Sequence, residues 1–150
     1  MRKLFSLKIG WGYTIFSLLD IIATGMGMGV PFFNILLGFP VGWYIARRLS
    51  KDEMPTRRLM GKSLLWSALT AGFTVILMLI IWAPTASMLF DTAADLANFG
   101  IPMILYEPRA SFIGWLALMT LISPFLQFLM TLFGSQVTQM APSKRDKPVL

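Results

Sequence analysis

The sequence predicts an all-α integral membrane protein with four transmembrane helices, both termini cytoplasmic, and a short amphipathic helix in the external loop between the third and fourth. Three observations predict it. Apolar residues make up 56% of the 150-residue chain and charged residues only 13%, against roughly 25% charged in an average soluble domain. A folded chain of this length still exposes much of its surface, so a small soluble core has no room for that much apolar material. The apolar residues are also gathered into four stretches nearly free of charge, and twelve of the thirteen basic residues lie in the segments between or beyond them that one side of a membrane would receive. The whole chain reads as a single transmembrane domain.

The first span covers residues 9–24, after the basic start MRKLFSLK, and the second covers 30–46, VPFFNILLGFPVGWYIA. Asp20 is the one charge between Ile9 and Ala46. A hydrocarbon core of about 30 Å asks for roughly 20 helical residues, with about 17 as a lower limit, so this stretch holds two short spans and a tight turn at GMGMG, where glycine frees the backbone. A single long span followed by a re-entrant or interfacial segment is the rival arrangement. A cleaved signal peptide ending near Ala23 is a further alternative, opposed by Asp20 beside the cleavage point.

The third span, 64–83, reads LLWSALTAGFTVILMLIIWA and stops before Pro84, and the fourth, 112–133, reads FIGWLALMTLISPFLQFLMTLF. Pro124 in its middle removes a backbone donor and is expected to kink the helix. Trp11, Trp43 and Trp66, with Tyr13 and Tyr44, fall near one set of span ends, and Trp82 and Trp115 near the other. Amphipathic rings collect at the two headgroup levels, so this placement supports the span limits.

Orientation follows from the basic residues. Arg2, Lys3 and Lys8 precede the first span, Arg47, Arg48, Lys51, Arg57, Arg58 and Lys62 occupy the loop 47–63, and Lys144, Arg145 and Lys147 lie in the tail 134–150. The opposite side carries Asp91, Asp95 and Glu107 against Arg109 alone. The positive-inside rule places the basic segments in the cytoplasm. The net charge of +6 is thus topogenic and points to no nucleic acid. The patch from Arg47 to Lys62 faces lipid headgroups or an acidic partner. In the external loop 84–111, TASMLFDTAADLANFG puts apolar residues on one stripe, the predicted amphipathic helix, with Gly100 as its stop.

Chemistry-bearing residues are scarce. With no Cys and no His, thiolate chemistry, disulfides and the common zinc and haem sites are absent. No catalytic residue, metal or cofactor is expected, and no enzyme. Asp91, Asp95 and Glu107 have no metal-loop spacing and read more readily as a solvated face than as a cation site. Asp20 is the one ionisable group within a span and so a candidate site, with Asn34 and Gln127 as polar partners in other spans and Thr24 one turn on. Three readings stay open for it: a coupling carboxylate, a hydrogen bond between helices or subunits, and a boundary position without special role. Gly38 and Gly42, four apart, mark a close helix contact, with Pro124 a further packing position.

Two functions remain. One is an accessory or assembly subunit of a larger membrane complex, whose partners are lipid, other subunits or copies of itself. The other is a small homo-oligomeric ion- or proton-coupled transporter using Asp20. The default location is the plasma membrane of a bacterium or archaeon, as a multi-pass protein.

Overall fold

A computed structural model describes residues 9–26, 32–50, 55–100, 103 and 105–140 of the chain. The elements are α1 (Ile9–Met26), α2 (Phe32–Leu49), α3 (Thr56–Ser87) followed by a 3₁₀ turn (Met88–Phe90), α4 (Pro108–Ala117), a π-helical turn (Leu118–Ile122) and α5 (Ser123–Met140). The last three form one rod, Pro108–Met140.

Each span helix runs past the C-terminal end of the apolar stretch that predicts it. Apolarity sets where a helix meets lipid, whereas caps and prolines set where the backbone stops. Pro55 sits just ahead of α3, its carbonyl accepting from the N–H of Arg58 and Leu59 at 2.9 and 3.2 Å. Arg57, Arg58 and Lys62 therefore ride on the first turns of α3, and Arg47 and Arg48 on the last turn of α2; Lys51 lies outside the described residues. At α4, Glu107 caps the helix by accepting from the N–H of Arg109 and Ala110, with Pro108 at the first helical position. A carboxylate there satisfies orphan donors and proline loses nothing.

Three prolines lie inside the rods. Pro40 is tolerated within α2 and Pro84 near the end of α3, where Ser87 Oγ donates to the Pro84 carbonyl at 2.6 Å. The expected disturbance at Pro124 takes a specific form: the π-helical turn Leu118–Ile122 immediately precedes Ser123 and Pro124. Widening the helix by one residue per turn is a known way to accommodate a break in the hydrogen-bond ladder.

The external amphipathic helix is not formed. After Phe90 the chain runs through turns from Asp91 to Gly100, which has a positive φ of 86°. The cause is local competition. Asp91 Oδ1 accepts from the Ala93 N–H at 2.9 Å, and Asp95 accepts from both the backbone and the side-chain amide of Asn98 at 3.2 and 2.7 Å. Such Asx turns offer the backbone an alternative to the helical ladder, and they win where no packing holds the apolar stripe.

Direction follows from the cross-helix contacts. Tyr13 and Asp20 of α1 meet Trp66 and Thr74 of α3, in the same chain sense. Gly38 and Gly42 of α2 meet Thr131 and Ser135 of α5, again in the same sense. Gly12 and Thr24 of α1 meet Tyr44 and Asn34 of α2 in reverse order. The rods thus alternate up and down, and the start of α3 shares an end with the finish of α2.

Residue placement is inverted relative to a water-soluble bundle. Among the described residues, more of the buried side chains are polar than apolar, while Trp11, Ile80 and Leu121 are 61%, 68% and 66% exposed. Two rods, Thr56–Phe90 and Pro108–Met140, are long and apolar enough to cross a membrane, each containing an 18-residue stretch of mean hydropathy 2.3 and 1.9 respectively. In water such an apolar exterior would be an aggregation surface; in hydrocarbon it costs nothing, and polar groups turn inward.

Candidate functional site

The buried polar groups lie on stripes at helical spacing. On α3 these are Ser63, Ser67, Thr70 and Thr74, and on α5 Ser123, Gln127, Thr131 and Ser135. Small hydroxyl side chains allow close approach of the helices. Ser and Thr also satisfy themselves one turn back: Thr70 Oγ1 donates to the Trp66 carbonyl and Thr131 Oγ1 to the Gln127 carbonyl, both at 2.8 Å.

Asp20 stands where the stripes converge, with no solvent exposure. Its Oδ2 accepts from Thr74 Oγ1 at 2.8 Å and its Oδ1 from Gln127 Nε2 at 3.1 Å. Thr24 Oγ1 donates to the Asp20 backbone carbonyl at 2.8 Å and accepts from Asn34 Nδ2 at 2.7 Å. One connected set of hydrogen bonds therefore joins α1, α2, α3 and α5. Of the partners the sequence proposes, Gln127 reaches the carboxylate directly, Thr24 reaches only the backbone, and Asn34 is one step removed through Thr24.

Thr74 is the partner that the sequence reading lacks. Its signal is present in the spacing Ser63, Ser67, Thr70, Thr74, a polar stripe along a span with no charge. Among the described residues several buried polar atoms find no hydrogen-bond partner, including Asn34 Oδ1, Gln127 Oε1 and the hydroxyls of Ser67, Ser123 and Ser135. An oxygen-rich interior with one carboxylate is thus left with spare acceptors.

Gly38 and Gly42 of α2 stand at close range to α5. A Cβ on Gly38 would stand 2.6 Å from the Gln127 carbonyl oxygen, and one on Gly42 would collide with the Thr131 carbonyl. Gly134 answers from the other side, facing the Phe39 carbonyl. Backbone meets backbone along α2 and α5, which fixes where Gln127 and Asn34 stand. Pro124 is buried on the same rod.

The basic residues do not form one face. Arg57, Arg58 and Lys62 are exposed, and Arg47 lies over the Trp43 ring at 5.8 Å. Arg48 is half-buried, and its Nη1 donates to the Tyr44 hydroxyl at 3.1 Å. Arg48 and Lys62 share the wall of a cleft of about 330 Å³ between α1, α2 and α3. The carboxylates between α3 and α4 are likewise dispersed to local duties: Asp91 and Asp95 close turns, and Glu107 caps α4. The Asn98 side-chain amide holds the Asp95 carboxyl below the usual carboxylate range. Among the described residues no three acidic groups gather as metal ligands would.

Set against family models, curated proteins and solved structures, the chain matches none of them.

Proposed function

We propose that the chain is a four-span protein of the plasma membrane with both termini cytoplasmic, serving as a non-catalytic accessory or assembly subunit of a larger membrane complex. The observation that carries this reading is a closed polar core beneath an apolar exterior. Each carboxylate oxygen of Asp20 accepts a hydrogen bond from another helix, and three clefts on the surfaces of α1, α2 and α3 are lined by other residues. A substrate or ion pathway needs an opening to its polar site, whereas a subunit that packs against others needs a rigid body with broad apolar sides. The exposed faces of α3 and of the last rod supply those sides.

Purification from native membranes in mild detergent, with the intact mass and the identity of every bound chain, tests the reading. Several different chains in fixed ratio are expected. A particle made only of copies of this chain would overturn it.

The second reading, a homo-oligomeric proton- or ion-coupled transporter, is favoured by the spare acceptors Asn34 Oδ1 and Gln127 Oε1 around a carboxylate with no cationic partner among the described residues. Asp20→Asn separates the two. It abolishes a coupled flux while leaving assembly of a complex intact.

A further inference from the structure

The cleft that holds Arg48 and Lys62 has an ordered polarity. Along α1 its wall runs from Gly12 inward to Phe16, along α2 from Arg48 inward to Val41, and along α3 from Lys62 inward to Trp66. Because the helices alternate in direction, Arg48 and Lys62 both lie at the outer ends of their paths on the cleft wall. The apolar side chains line the inner end. Trp66 and Tyr13 are in ring contact at 5.1 Å, and the Tyr13 hydroxyl donates to the Trp66 carbonyl at 3.4 Å, so the cleft lies at the aromatic level. Aromatic belts mark the headgroup boundary.

The cleft is held open by specific residues. Tyr44 lies across α1 because Gly12 has no side chain; a Cβ there would stand 2.8 Å from its hydroxyl. That hydroxyl accepts from Arg48 and so orients the guanidinium on the cleft wall. A volume of about 330 Å³ falls within the roughly 300–1,000 Å³ of small-molecule sites. Leu65 and Lys62 are exposed, so the cleft opens to the outside of the bundle.

We infer that this cleft binds one anionic phospholipid, its phosphate held between Arg48 and Lys62 and part of an acyl chain laid over Phe16, Val41 and Leu65. Guanidinium and ammonium groups both pair readily with phosphate, and juxtamembrane cations draw anionic headgroups. A soluble phosphate has no use for the apolar inner end, and a neutral lipid has none for the paired cations. The inference rests on the membrane-spanning reading and on neither of the two roles proposed for the chain.

Native mass spectrometry of the full chain, supplied with equal dioleoylphosphatidylglycerol and dioleoylphosphatidylcholine, tests it. One phosphatidylglycerol per chain is expected, preferred on the order of tenfold by virtue of two nearby cations. The pair Arg48→Gln and Lys62→Gln should remove the preference. The pair Arg57→Gln and Arg58→Gln, exposed and outside the cleft, should keep it. Equal loss in both pairs would show diffuse attraction and overturn the site, as would an unchanged preference in the first pair. Displacement of the lipid by inorganic phosphate alone would overturn the acyl-chain contact, and retention of an acidic polypeptide in place of lipid would overturn the occupant. Carbonate-washed membranes separate the underlying reading: a chain released by the wash overturns membrane spanning itself, whereas an integral chain without lipid preference overturns only this inference.

Discussion

Asp20 shows how one residue type in an apolar setting organises its surroundings. A carboxyl removed from water needs donors, and here they come from a hydroxyl on α3 and an amide on α5. Both donors are neutral, and both depend on the acid in turn. Asp20→Leu leaves Thr74 Oγ1 and Gln127 Nε2 without that acceptor and is expected to destabilise the bundle by about 1–3 kcal/mol. Asp20→Asn has the same shape, and rotation of either the threonine hydroxyl or the glutamine amide restores both bonds, so it should cost under about 1 kcal/mol. Unfolding in mixed micelles of rising SDS fraction measures the difference. Equal loss in both variants would mean that the carboxyl does not act through these two bonds. Gln127 and Asn34 were legible in the sequence as isolated amides in apolar spans. Thr74 was not singled out, because threonine is common in spans and only its register with Thr70, Ser67 and Ser63 marks it.

At the level of elements, the close pairing of α2 and α5 sets the frame on which α1 and α3 rest. Its requirement is the absence of side chains at Gly38, Gly42 and Gly134, and the atoms opposite are backbone carbonyls that do not move aside. Gly42→Leu should therefore separate the two helices and lower stability by about 1–3 kcal/mol or more, with Asn34 and Gln127 displaced along with them. Gly72→Leu is the control, since nothing stands near a Cβ at Gly72. Thermal aggregation in detergent compares the pair, and equal stability of the two variants would sink the packing account. The GxxxG spacing was readable from the chain, but its partner was not. Gly134 and Thr131 lie nearly one hundred residues away, and nothing local connects them. The cap at Glu107-Pro108 emerges only in the structure, since apolarity alone places the span start later. The external helix failed for the opposite reason. Its apolar period was genuine, yet Asp91 and Asp95 satisfied the backbone locally before any packing could reward a helix.

For the molecule as a whole, alternation of the rods gathers Arg47, Arg48, Arg57, Arg58 and Lys62 at one end. At 1.5 Å per residue, the 18 residues of α1 reach about 27 Å and the 32 residues of α3 about 48 Å. α1 and α2 are thus shorter than a bilayer core of about 30 Å, whereas α3 is longer than one and carries Arg57, Arg58 and Lys62 on its first turns. The chain has no native cysteine, so single-site labelling is direct. With a membrane-impermeant thiol reagent on intact cells, Gly27→Cys should react and Met54→Cys should react only after lysis. Labelling of both from the same side would replace the first hairpin by a re-entrant segment and remove the four-span topology.

The sequence alone determined the chemistry of the exterior, the limits of the apolar stretches and the grouping of the charges. These are additive properties, summed residue by residue along the chain, and no fold is needed to read them. Tertiary structure decided which groups meet: that Thr74 and Gln127 close on Asp20, that Gly134 answers Gly38 and Gly42, and that Arg48 and Lys62 share one cleft. Those contacts depend on the rotation and crossing of helices far apart in sequence. Steric fit between backbones sets that geometry, and hydropathy carries no record of it.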